Sequence, residues 1–163
     1  MATSTQRLID AVKTRLEADL PARLTAAGLP AISEVLTYQP GLLNAAKAPQ
    51  VWLDMPQAKR SEAPGRGASQ GYFVRNRTLL VGITGAGSEA AVAASNLRQT
   101  ADLVRQCLEA EQYATEAVPL GGEALWVRWL EDDYTPNESS TTALLQMATL
   151  VFDVPCRVGR GEE

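Results

Sequence analysis

The chain has 163 residues, 45% hydrophobic and 21% charged, with 15 Lys plus Arg against 19 Asp plus Glu, two cysteines and no histidine. A length near 150 residues predicts one domain, able to bury about 70% of the surface its unfolded form exposes. The lack of histidine excludes Ser-His-Asp, Cys-His and His-metal sites, and a net charge of −4 argues against a dedicated nucleic-acid binder, which needs a basic excess to displace counterions.

The first residues, Met1-Ala2-Thr3-Ser4-Thr5-Gln6, lack the basic-then-apolar layout of a secretory signal, and nowhere do 18 apolar residues run together. The chain therefore reads as soluble and intracellular at synthesis. Thr3-x-x-Gln6 has the form of a capping box, and Leu8, Ile9, Val12, Leu16, Leu20 and Leu24 then recur on one helical stripe. This predicts an amphipathic helix over residues 5–24, kinked or restarted at Pro21 and stopped by Gly28 and Pro30.

Residues 32–38 (Ile-Ser-Glu-Val-Leu-Thr-Tyr), closed by Pro40-Gly41, predict a short strand. Residues 50–55, where Val51, Leu53 and Met55 alternate with Trp52 and Asp54, predict a second. From 57 to 70 bulky apolar residues almost vanish, which predicts a mobile loop inside a single domain spanning 1–163. Residues 72–83 are polar in their first half and apolar in their second, as in a strand that starts exposed and finishes buried. A glycine-rich turn follows, then Ser88 as N-cap with Glu89 favourable at the first turn. The second helix places Ala90, Ala94, Leu97, Ala101, Val104 and Leu108 on one face and Arg98, Asp102, Arg105 and Glu109 near the other.

In the last third Leu125, Val127 and Trp129 alternate with Trp126, Arg128 and Leu130; after the polar stretch 131–140 an almost unbroken run covers 141–158. Together they predict a hairpin whose second arm is about three times the usual strand length, an arm that outgrows its own domain. Residues 159–163 should be frayed. The order α-β-β-β-α-β-β predicts an α+β fold, a mostly antiparallel sheet of about five strands with two helices packed on it and a long C-terminal hairpin.

Four groups of residues could carry function. Gly82-Ile83-Thr84-Gly85-Ala86-Gly87 stands where phosphate-cradling loops occur, but its G-x-x-G-x-G spacing matches neither the dinucleotide fingerprint nor a P-loop. Glycines serving a strand-to-helix turn are the plainer reading, with a nucleotide-dependent enzyme as the distant alternative. Glu131, Asp132, Asp133 and Glu138 form an acidic cluster without the ligand order of an EF-hand, read as a solvated hairpin tip or a docking surface for a basic partner. Lys59, Arg60 and Arg66, with Arg75 and Arg77 on the next strand, form the basic concentration, either a solubilising loop or an arm that orders on another subunit. Only Tyr72 and Phe73 interleave it, a weak platform for single-stranded nucleic acid. Trp126 and Trp129 fall on opposite faces of one strand, so one can be core while the other meets a neighbour. Cys107 and Cys156 lie in no metal spacing and read as reduced, partly buried thiols. No cofactor and no metal follow from these residues.

The layout as a whole resembles that of bacteriophage tail terminators, also called tail completion or neck proteins. The resemblance lies in the helix carrying Leu-Ile-Asp-Ala-Val-Lys-Thr-Arg-Leu, the strand with Val51-Trp52-Leu53, the loop of 57–70, the strand-Gly-helix unit of 79–108 and the hairpin of 125–158. It implies a homomeric ring, usually a hexamer, that caps the tail tube, stops its polymerisation and presents a surface for head-tail joining, without catalysis. The implied partners are further copies of the chain, the tail tube protein, neck or connector proteins and, in a contractile tail, the sheath, with no membrane and no specific nucleic acid. The implied location is the virion. A head-tail connector or other neck subunit is the runner-up. From this sequence alone, Lys59, Arg60 and Arg66 are expected to face the tube, and Asp132, Asp133, Tyr134 and Glu138 the ring or sheath.

Overall fold

Thr3 opens the first helix as expected: its backbone is extended, and Thr3 Oγ1 accepts a hydrogen bond from the Gln6 backbone N–H at 3.2 Å. Only half of the capping box forms, because the Gln6 side-chain amide donates to Asp10 Oδ1 at 2.8 Å instead. The computed structural model describes residues 3–41, 47–60, 72–87, 89–109, 119–136 and 144–159. Helix α1 is Ser4–Ala26, and it runs through Pro21 rather than restarting there. Leu20 and Leu24 on either side of the proline are each 1% exposed, so tertiary packing holds the turn that a lost backbone bond would loosen. The helix ends as the Gly28 signal predicts. Gly28 takes φ +69°, and Leu29 N–H donates back to the Leu24 carbonyl at 3.0 Å, which satisfies an orphan carbonyl in the Schellman manner.

Five strands follow in one sheet: β1 (Val35–Leu36), β2 (Gln50–Arg60), β3 (Tyr72–Gly87), β4 (Arg128–Pro136) and β5 (Leu144–Gly159), with helix α2 (Ala90–Glu109) between β3 and β4. Their spatial order is β1-β2-β3-β5-β4. β1 runs parallel to β2, and every other pairing is antiparallel. The expected α+β fold, element order and closing hairpin are therefore present.

The boundaries differ from expectation in instructive ways. β1 keeps only two residues, pairing Val35 with Val51 and Leu36 with Trp52. β2 runs on to Arg60, so the first four residues of the expected loop are paired with β3; residues 61–70 lie outside the described residues. A register shift between Asp54 and Gln57 accommodates Pro56, which has no N–H to give a ladder. Gly82, Gly85 and Gly87 are not a turn: β3 continues to Gly87 and pairs with β5 over all 16 residues, from Tyr72 opposite Gly159 to Gly87 opposite Leu144. β4 starts at Arg128 and extends into the stretch expected to be a polar tip, while residues 125–127 precede it. Pro155 is tolerated in β5 because its carbonyl accepts from Leu125 N–H at 2.8 Å, on the side where β4 has already ended. A strand residue points its N and its carbonyl to the same side, so the missing donor costs β3 nothing.

One face of the sheet carries the core. Val51 and Leu53, Leu79, Val81 and Ile83, and the even-numbered residues from Ala148 to Cys156 are buried against the apolar stripe of α1 and against Leu97, Ala101, Val104 and Leu108 of α2. Ala93 and Thr100 complete the inner face of α2, whereas the expected Ala90 is exposed and Ala94 half-buried. On the opposite face Trp52, 3% exposed, lies against the backbone of Gly82.

Candidate interaction site

The best-furnished site lies where the C-terminal half of α2 meets β4. Trp129 backbone N–H donates to Glu109 Oε1 at 2.9 Å, and its indole Nε1–H donates to Asp132 Oδ1 at 2.6 Å. The Arg105 guanidinium carbon stands 5.0 Å from the centroid of the Trp129 ring, a cation–π contact, and Arg105 also pairs with Asp102 at 3.5 Å. Tyr134 OH donates to the other Asp132 oxygen at 3.5 Å. Burial, then the charges of Asp132 and Asp102, push the Tyr134 hydroxyl above its ordinary value, with Arg98 opposing. Tyr134 thus stays a neutral hydrogen-bond donor beside a carboxylate.

This corrects two expectations. Glu131, Asp132 and Asp133 are strand residues of β4 rather than a hairpin tip, with Glu131 and Asp133 exposed and Asp132 half-buried; Glu138 lies outside the described residues. Trp126 and Trp129 are not two faces of one strand, because Trp126 precedes β4. Trp126 is 41% exposed and Trp129 half-buried. A register shift between Trp129 and Glu131 leaves Leu130 as an extra residue, 48% exposed. Sequence reading missed the part played by Glu109 and Arg105. Their spacing at i, i+4 on the polar face of α2 was the available signal, but their target lies on a strand 20 residues further on.

The basic residues gather at one end of the sheet. Arg60, Arg75 and Cys156 share one rung; Lys59, Asn76 and Pro155 share the next. Arg75 is half-buried, and Arg66 lies outside the described residues. Arg77 is no surface group: it is 3% exposed, and its guanidinium donates to Ser4 Oγ at 2.7 Å, to Thr5 Oγ1 and, through Nε, to Cys156 Sγ at 3.0 Å. It ties the first turn of α1 to β3 and β5. Ser4 and Thr5 could not be found from sequence, since they lie 73 and 72 residues away from Arg77 in the chain.

With Gly82, Gly85 and Gly87 in a paired strand, their backbone amides form no phosphate cradle before α2, and the nucleotide-binding alternative loses its basis. Among the described residues no three His, Cys, Asp or Glu side chains are grouped to hold a metal ion, and no helix is long and apolar enough to cross a membrane. A groove of ≈ 220 Å³ between the second half of α1 and residues 31–35 is lined mainly by aliphatic groups, among them Leu16, Leu20, Ile32 and Val35.

No protein-family model and no curated protein matches the chain. Among solved structures the fold is similar to that of a chain in the virion of a native gene transfer agent (GTA) particle, with a TM-score of 0.55 and 15% sequence identity. The match covers 92% of this chain and 94% of that one, so the two share a fold over nearly their full lengths.

Proposed function

We propose that the chain is a structural virion protein, a ring-forming tail terminator that caps the tail tube, ends its polymerisation and provides the surface for head-tail joining. The observation that carries this reading is the end-to-end fold match to a virion chain, 92% of one and 94% of the other. The layout agrees with it: charged and aromatic groups lie on a sheet edge, and the chain has no histidine for acid-base chemistry near neutral pH. The mechanism is steric. Each subunit offers one surface that accepts the tube end and another that does not propagate addition, and a closed ring multiplies weak contacts by avidity. Its partners are further copies of itself in a ring, the tube protein, neck proteins and, where the tail contracts, the sheath.

The test pairs a genetic with a biochemical arm. Deleting the gene should give overlong tails; tails of normal length left without heads would reassign the chain to the connectors. Replacing Lys59, Arg60 and Arg66 by Ala should leave the monomer folded by circular dichroism and weaken capping of purified tubes. Unchanged capping would reject the tube-facing role of these three residues.

A further inference from the structure

We propose that the first turn of α1, residues 3–7, is a releasable latch that closes over Arg77 and Cys156 and opens without unfolding the rest of the domain. The latch is a property of the single chain, whatever assembly that chain enters.

Two independent observations lead to it. The first is a buried cation with no anion beside it. Arg77 is 3% exposed, yet its guanidinium donates to two hydroxyls and a sulfur: Ser4 Oγ at 2.7 Å, Thr5 Oγ1 and Cys156 Sγ at 3.0 Å. Among the described residues no carboxylate forms an ion pair with it. A buried charge is costly unless paired, and hydroxyls offset only part of that cost. Its position adds to the cost, because Ser4 and Thr5 open α1 and the N-terminal end of a helix is itself positive. The second observation is that the turn lacks an apolar anchor. Thr3, Ser4, Thr5, Gln6 and Arg7 carry no large apolar side chain, and the buried apolar stripe of α1 begins only at Leu8. Arg7 pairs with Glu123 at 3.4 Å, but these side chains are 37% and 33% exposed, and ion pairs open to water contribute little.

Together they set this turn apart from the rest of the helix. From Leu8 onward, lifting α1 exposes apolar surface, which the hydrophobic effect opposes. Lifting residues 3–7 instead returns hydroxyls and a guanidinium to water, which solvates them better than the interior does. Segments with few buried apolar contacts open at a lower free energy than the core. Opening uncovers what the turn hides. Arg77 reaches solvent two residues along β3 from Arg75, which stands on the rung of Cys156, and the Cys156 thiol, 2% exposed with the latch shut, becomes accessible. The open form thus offers a planar, forked cation to a carboxylate on a partner, and the closed form withholds it. Cys107 serves as an internal reference. It is fully buried in α2, and its carbonyl accepts from Arg15 Nε at 3.3 Å, well beyond the latch, so release of the first turn leaves it covered.

Thiol labelling with N-ethylmaleimide tests the latch. The two cysteines are followed separately by peptide mass spectrometry in increasing urea, each rate being divided by that of the unfolded chain. In the wild-type chain Cys156 should be labelled at least about tenfold faster than Cys107. Below the unfolding transition its rate should change little with urea, whereas that of Cys107 should rise with the steep slope of global unfolding. Ser4→Ala with Thr5→Val removes both hydroxyl acceptors from Arg77 and should speed Cys156 at least about tenfold relative to Cys107. Circular dichroism checks that the variant is folded; if it is not, the wild-type comparison alone decides. One common rate and urea slope for both cysteines in the wild-type chain would overturn the latch. So would a folded variant in which Cys156 gains nothing over Cys107.

Discussion

Gly82 shows how one missing side chain shapes its surroundings. A Cβ there would stand 1.8 Å from Trp52 Cε2 and 2.1 Å from Cζ2, distances at which something must move. The Trp52 indole N–H is buried with no hydrogen-bond partner among the described residues, so its place is held by packing alone. Gly82→Ala is expected to cost about 3 kcal/mol in denaturant unfolding, because the ring must leave its seat on the backbone. Trp52→Leu in the same chain should return part of that loss, and purely additive costs in the double mutant would contradict the contact. Cys107, fully buried in the core, titrates the other way from a reactive thiol. Burial pushes it above its ordinary value of 9.0 against the opposing charge of Arg23. The folded chain thus keeps a proton that the unfolded chain gives up. The stabilisation is complete below pH 9 and is lost as pH rises through the raised value. Unfolding free energies of wild type and Cys107→Ala should differ by about 1–2 kcal/mol near neutrality and converge above about pH 9. Arg77 marks the limit of sequence reading at this scale: grouped with Arg75 it looked like part of a basic surface, yet it is buried against the hydroxyls of Ser4 and Thr5, more than 70 residues earlier in the chain.

Secondary elements were legible in proportion to how fully one face is buried. The stripe from Leu8 to Leu24 recurs at helical spacing because every member of it is buried in the core. At its start, Thr3→Ala should remove the bond to Gln6 N–H and cost about 1 kcal/mol by thermal melting, while Gln6→Ala should cost less because Gln6 does not complete the box. β4 was misplaced by several residues for the opposite reason. As an edge strand with Glu131 and Asp133 exposed it shows the polar character of a turn, and nothing in its composition reveals the ladder to β5. β3 was cut short because three glycines weaken strand propensity; there they allow close approach, with Gly85 against Leu97 and Gly82 against Trp52.

At the level of the whole molecule, the fold class followed from the order of elements, but the strand order did not. That β5 inserts between β3 and β4 depends on a pairing of two 16-residue strands separated by the entire second helix. That insertion puts Glu131, Asp132 and Asp133 of β4 at one margin of the sheet, with β5 and β3 between them and β2. The same pairing has a mechanical side. Each of these strands reaches about 50 Å, while the 20 residues of α2 reach about 30 Å, so the β3–β5 ribbon is longer than the helix packed on it. Its backbone bonds lie across the strand direction. A tension applied along the ribbon is borne in shear by many rungs at once instead of opening them one after another, which makes this axis the stiff direction of the subunit.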